Sequence, residues 1–262
     1  MWQPTDEILK HAGAHAERDQ PKESCGVVID GRYVEIANRA TEVDNFAMDR
    51  DQFLAAIKSG TLEAVVHSHV YSAPIASQGD LAACERTGVP WLILNWPVGT
   101  YTVIEPSGYV APLIGRTWSF GTLDCWGMVR DGFHAFTGIW VPDFDRSWEW
   151  WKDGHSNLIV ENVQAAGFVN LGQDVQPRHC DVIVMQVRAE VPNHCALYIE
   201  PEGLILHHLQ GHLSVRETYG GFFQKATRFV ARHKAFLEAM APPHDPNDRS
   251  VWTGEIRGQE PT

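Results

Sequence analysis

In the N-terminal part of the chain the apolar positions change period several times, and each change marks an element. Helical spacing from Thr5 to Arg18 predicts an amphipathic helix, and two short apolar runs, "CGVVID" and "YVEIANRA", predict strands joined by a turn. A second helix follows over "DRDQFLAAIKSG", then a strand over "EAVVHSH", where the β-branched run "LEAVV" reads as buried. The next stretch, "SQGDLAACERTG", begins with Ser77 as an N-cap and stops at Gly88, so it reads as a helix. Strands over "WLILNW" and "YTVIEP" close the series. This alternation of strands and helices predicts an α/β domain over residues 1–108.

The pattern then breaks. "EPSGYVAPLIG" carries Pro106, Gly108, Pro112 and Gly115, which interrupt both periods, and residues 109–115 read as a linker. Beyond it, "RTWSFGTLDCWGMVRDGFHAFTG" runs from a glycine-containing loop into a helix. An aromatic region, "VPDFDRSWEWWKDG", leads to a further helix near "SNLIVENVQAAGF". Strands are expected at "DVIVMQV", "HCALYIE" and "LILHHL", with turns at "VPN" and "EPEG". Helices first and strands after them predict an α+β domain over residues 116–238. Residues 239–262, rich in Pro, Gly and charge, read as a flexible tail.

Charge and cysteine usage narrow the function classes. Against 33 acidic residues stand 21 basic ones, a formal net charge of -12, and no Lys/Arg run interrupts the balance. A nucleic-acid surface is therefore not expected; proteins, peptides or glycans suit this chain better as partners. Its five cysteines, Cys25, Cys84, Cys125, Cys180 and Cys195, form no C-x-x-C pair and are too sparse for a disulfide scaffold, so they read as reduced thiols. The N-terminus is amphipathic rather than a basic stretch before an apolar core, and no apolar run is long enough for a membrane span. Synthesis in the cytoplasm is the expectation.

Two groups of reactive side chains stand out. The first is "HSHVYSAPIASQGD", in which His67 and His69 sit at the end of a strand and Asp80 in the first turn of the following helix. On an extended segment residues i and i+2 share a face, so the two imidazoles reach one point, and Asp80 closes on it from across the loop. Two imidazoles and one carboxylate leave one open position, the arrangement of a catalytic zinc site. Such a site needs a base, and Glu23, ahead of the first strand, is the candidate. Here the chain resembles the JAMM (Mov34/MPN/PAD-1) metalloproteases: "ES-C-G" is followed by H-x-H, seven residues and S-x-x-D. The resemblance implies zinc on His67, His69 and Asp80, Glu23 as general acid/base, and Ser77 as hydrogen-bonding partner of the tetrahedral intermediate. Val70 departs from it, standing where the family usually has proline.

The second group lies in "TLDCWGMV" and "NHCALYIEPEGLILHHLQGH". Cys125 stands at a loop-to-helix junction, where a helix N-terminus lowers a thiol pKa. His194 and His207 fall on two expected strands at positions that share a face of an antiparallel hairpin, so one can pair with Cys125 and the other orient it. This segment resembles the NlpC/P60 cysteine peptidases, a papain-like fold. The resemblance implies Cys125 as nucleophile, His194 as base and His207 as orienting residue, with His208 facing away. Trp126 replaces the usual small serine, and Cys195 with Ala196 replaces Val-Gly.

A JAMM domain followed by an NlpC/P60 domain resembles the tail assembly protein K family of lambda-like bacteriophages. That resemblance implies an α/β MPN-like domain and then an α+β papain-like domain, zinc as cofactor, and peptidase activity toward peptidoglycan stem peptides, with other tail-tip proteins as partners. It also implies synthesis in the host cytoplasm, a place at the phage tail tip and action at the periplasmic cell wall. The competing expectation is a structural or chaperone-like tail-tip subunit whose two sites are vestigial.

Overall fold

The structure, a computed structural model, describes residues 1–146, 149–243 and 252. It divides into two compact units, Met1–Tyr109 and Val110–Thr262.

The first unit runs α1 (Asp6–Asp19), β1 (Cys25–Ile29), β2 (Arg32–Ile36), α2 (Arg50–Ser59), β3 (Leu62–Val70), α3 (Gln78–Thr87), β4 (Trp91–Trp96) and β5 (Tyr101–Ile104). Asp30 and Gly31, both at positive φ, make the two-residue turn that pairs Ile29 with Arg32. The sheet order is β2-β1-β3-β4-β5, antiparallel throughout except for the parallel pair β3 and β4, which α3 connects. Every residue of β1 is buried because both faces are covered. Ile8, Ala12 and Ala16 of α1 pack on Val28, Ala64, Val66 and Leu92. On the other face Ala56 of α2 and Ala83 and Cys84 of α3 pack on Val27, Val65 and Trp91.

The second unit adds α4 (Cys125–Thr137), a short 3-10 helix at Trp150–Asp153, α5 (Leu158–Ala165), β6 (Phe168–Asn170), β7 (Val182–Met185), β8 (His194–Ile199), β9 (Leu204–His207), β10 (Val215–Thr218), α6 (Gly221–Ala226) and β11 (Thr227–His233). Its sheet, ordered β10-β9-β8-β7-β11-β6, is antiparallel at every pair. Met128, Val129, Phe133 and Phe136 of α4 pack on Val184, Leu197 and Leu206 from one face of that sheet.

Four elements of this unit carry little local signal. β6 is three residues long, α6 is a short helix, and β10 is exposed along its length, so no apolar alternation marks it. β11 is largely buried yet contains Arg232, whose guanidinium donates to both carboxylate oxygens of Asp181 at 2.8 and 2.7 Å. That bidentate pair lets a charge sit in a core strand and hides the strand from an apolar pattern. Most of the stretch expected to be a flexible tail lies outside the described residues. Trp252 does not: it is only 5% exposed, its ring is 5.4 Å from that of Phe136, and the Arg216 guanidinium lies 4.2 Å over it. The aromatic surface of this one side chain outweighs the polar composition around it. Among the described residues no helix is long and apolar enough to cross a membrane.

Phe133 is fully buried and meets the rings of Phe168, His233 and Phe236. Phe133→Ala is expected to lower the stability of the second unit by about 3–5 kcal/mol, read from urea unfolding of the full chain.

Candidate functional sites

Strand register builds the first site. Cys25 on β1 faces His67 on β3, and the pairing continues past the strand end, where Ser68 N–H donates to Ser24 O at 3.0 Å and Ser24 N–H to Ser68 Oγ at 2.8 Å. Carrying the register one step further sets Glu23 opposite His69. By alternation Glu23, Cys25, His67 and His69 share the face that α3 covers, at the C-terminal end of a parallel strand. Asp80 enters from the first turn of α3.

His67 Nε2 lies 3.2 Å from His69 Nε2 and 3.4 Å from Asp80 Oδ1, and His69 Nε2 lies 4.0 Å from Asp80 Oδ2. Tetrahedral ligands on bonds of roughly 2.0–2.1 Å are separated by about 3.3 Å, so the two shorter distances already match a metal's coordination edges. One ligand atom from each of the three residues falls within 4.8 Å of the others, a group that could hold a metal ion. His69 Nδ1 is 2.9 Å from Ala73 O, which assigns the proton to Nδ1 and leaves Nε2 its lone pair. Among the described residues His67 Nδ1 has no such partner; its ring is held instead against Phe46, 4.6 Å away and stacked, and Trp91, 5.8 Å away and edge-on. Burial pushes the His67 pKa down to about 4, against the pull of Asp80, so the imidazole is neutral and able to ligate at neutral pH.

Ser77 and Asp80 form a capping box: Asp80 N–H donates to Ser77 Oγ at 3.1 Å, and Ser77 N–H donates to Asp80 Oδ2 at 2.8 Å. Ser77 is therefore the N-cap the sequence predicts, and it fixes the carboxylate that faces His67. Glu23 is buried. Burial first, then the charges of Asp80 and Asp44, raise its pKa to about 8.

In the second unit α4 opens at Cys125, directly after its N-cap, Asp124. The Asp124 carboxylate accepts from Gly127 N–H and Gly121 N–H at 2.9 Å each and from Arg146 Nε at 2.8 Å. Arg146 is itself buried and also bonds Asp143 at 2.8 Å, so the acid beside the thiol is neutralised. Gly127 admits no side chain, since a Cβ there would collide with the Thr122 carbonyl that closes the loop onto the helix start.

His194 stands at the start of β8 and His207 at the end of β9, on the same sheet face. His194 Nε2 is 3.2 Å from His207 Nδ1, and His207 Nε2 is 2.8 Å from Glu217 Oε2. Cys125 is lowered to a pKa of about 5: hydrogen bonding to the Cys195 thiol lowers it most, burial opposes, and the hydrogen bond and charge of His194 lower it further. Cys195, a core residue as expected, is raised correspondingly. The two thiols share one proton, which stays on Cys195, and the ionised one is Cys125, which has the helix N-terminus and the imidazole. His208 faces elsewhere, its Nε2 3.0 Å from His212 O. Cys125 and His194 line a cleft of about 360 Å³ whose walls include Trp118, Trp126, Trp150, Trp151 and Phe222.

Comparison with known proteins fits this geometry. Residues 5–106 match the prokaryotic homologs of the JAB domain, and residues 115–232 match the NlpC/P60 family. Tail tip assembly protein K of Escherichia phage N15 is 36% identical over 227 residues, 84% of this chain and 92% of that protein. The chain belongs to the tail tip assembly protein K family. Tail tip assembly protein K of Escherichia phage lambda is 35% identical over 190 residues, covering 72% of this chain and 90% of its own. For this member of the tail tip assembly protein K family, the expected fold classes and their order are borne out.

Two polar groups of the thiol centre escape a reading of the sequence. Arg146 lies in an aromatic, proline-containing stretch with no regular period, and Glu217 lies on the exposed strand β10. The only local cue to Glu217 is its alternation with Val215, which faces His207 in the β9–β10 register.

Cys125 differs from every other cysteine in the direction of its shift. Cys25 is pushed up to about 12 and Cys84 to about 11, chiefly by burial, and burial also raises Cys180 and Cys195. Iodoacetamide at pH 6 is thus expected to label Cys125 alone, because its thiolate persists down to about pH 5. Peptide mass mapping checks this, and equal labelling of a second cysteine would contradict it.

Proposed function

We propose that this chain is a tail-tip peptidase with a thiol centre in its second unit and a zinc centre in its first. The observation that carries the reading is the line from Cys125 through His194 to His207 at the edge of an aromatic-walled cleft. In it the Cys125 thiolate attacks a carbonyl of a peptidoglycan stem peptide, and the adjacent helix N-terminus favours the negative charge beforehand. His194 protonates the departing amine, and water then releases the acyl group from the sulfur with His194 as base. His207 orients His194. The aromatic walls offer flat apolar surface to the stem.

In the first unit His67, His69 and Asp80 would hold zinc, and a bound zinc supplies Lewis-acid activation of water and of a peptide or isopeptide carbonyl. Glu23, buried beside those ligands, takes and returns the proton. Ser77 meets the oxygen of the tetrahedral intermediate. The partners are the stem peptide and other tail-tip proteins, with synthesis in the host cytoplasm and action at the periplasmic wall. The name that the two relatives share, tail tip assembly protein, favours a second reading, an assembly subunit without catalysis.

Digestion of purified peptidoglycan by wild type, Cys125→Ala and Glu23→Gln, with released peptides read by mass spectrometry, separates the two. New stem fragments that disappear with Cys125→Ala are expected; no release by any of the three proteins favours the assembly reading. For the zinc centre, the purified protein is expected to carry about one zinc per chain, and His69→Ala or Asp80→Ala to lose it, by elemental analysis. Zinc retained by both variants would remove these residues from the site.

A further inference from the structure

The hydrogen-bonded line at the thiol centre does not stop at His207. Its Nε2 meets Glu217 Oε2 at 2.8 Å, and a carboxylate only accepts, so the proton of that bond belongs to His207 Nε2. A neutral His207 then has its lone pair on Nδ1. At 3.2 Å from His194 Nε2, that lone pair must receive the His194 Nε2 proton. His194 is left with a bare Nδ1, the nitrogen remaining for its hydrogen bond with Cys125. One acceptor at the far end thereby sets the hydrogens on two imidazoles.

We propose that Glu217 is a positioning residue of the thiol centre, which holds His194 in the one tautomer able to take the Cys125 proton. The inference rests on the reading of Cys125 and His194 as nucleophile and base. When the proton passes from Cys125 Sγ to His194 Nδ1, no other proton moves; the imidazolium keeps donating from Nε2 to His207. Without Glu217, His207 is free to carry its proton on Nδ1 and donate to His194 Nε2. His194 then presents Nδ1–H to the sulfur and cannot act as its base, the same tautomer failure that removal of a triad carboxylate produces.

The surroundings leave this work to Glu217. His207 is buried and held down to a pKa of about 4 by burial and by His194, so it stays neutral. The ring of Phe223 lies 4.8 Å away and offers no acceptor. Cys125 is faced by His194 and Cys195 from β8 and by Asp124 at the head of α4, whose charge Arg146 answers. His207 is faced by His194, His208 and Glu217. In the β9–β10 register Glu217 is diagonal to His207, within reach of a long side chain. Half of the Glu217 side chain is exposed, so its replacement leaves the fold standing.

The test is the pH dependence of Cys125 alkylation by iodoacetamide in the full chain, for wild type, Glu217→Gln, Glu217→Asp and, as a control on the same strand, Thr218→Ala. Glutamine keeps the shape but also donates, so it no longer fixes the tautomer. The midpoint of alkylation is expected to rise by about one pH unit in Glu217→Gln, to be partly restored by Glu217→Asp, and to stay put in Thr218→Ala, with melting temperatures unchanged. Stem-peptide cleavage is expected to lose roughly tenfold in kcat with KM unaltered. Alkylation needs no substrate, so the two readings separate. A shifted midpoint in a protein that cuts nothing upholds the role of Glu217 and removes the peptidase. Superimposed profiles of wild type and Glu217→Gln overturn the inference whether or not the wall is cut.

Discussion

Side chains on a paired strand alternate between two faces, and a slip of one residue exchanges the faces entirely. Both candidate sites rest on that constraint. In the first unit the β1–β3 pairing of Cys25 with His67 decides that Glu23, His67 and His69 look toward α3 rather than α1. In the second, the pairing of Leu197 with Leu206 and of Ile205 with Glu217 brings His194, His207 and Glu217 to one face. The apolar residues hold the register that the polar ones use: Val27 and Val65 under the metal-type cluster, and Leu197 and Leu206 against α4 beside the thiol. Packing free energy is therefore what keeps four imidazoles and the Glu217 carboxylate within hydrogen-bond range of their partners.

Helix starts supply the other half of each site. Asp80 sits in the first turn of α3 and Cys125 in the first turn of α4, and each is preceded by a side chain that caps the helix, Ser77 and Asp124. The positive end of α4 favours the thiolate form of Cys125. At Asp124 this would bring a carboxylate against the thiolate, and the buried Arg146 offsets it. The acids and bases of the two units thus end in opposite conditions: Glu23 is pushed toward its protonated form by burial and like charge, and Cys125 toward its ionised form by hydrogen bonds.

What the sequence made legible follows from locality. His67, His69, Ser77 and Asp80 lie within one strand–loop–helix passage, so spacing alone placed them, and the parity of His194 and His207 across one hairpin was countable in the same way. Glu217 depends on a strand with no buried residue, Arg146 on a loop with no period, and the contact of Cys195 with Cys125 on the depth at which α4 packs on β8. Those are properties of tertiary packing, and no local pattern encodes them. Trp252 makes the same point from the other side, since a polar stretch hid one aromatic residue that the core accepts.

The capping box has a consequence for what position 80 can be. One carboxylate oxygen of Asp80 closes the box with the Ser77 amide, and the other faces His67. A glutamate carries the same charge one methylene farther from the backbone, so it reaches the cap or the histidine, not both. An asparagine can still accept from the Ser77 amide, but it turns a neutral group toward the imidazoles. Helix geometry and ligand chemistry therefore specify the same side chain independently, and drift at this position is blocked from two directions at once.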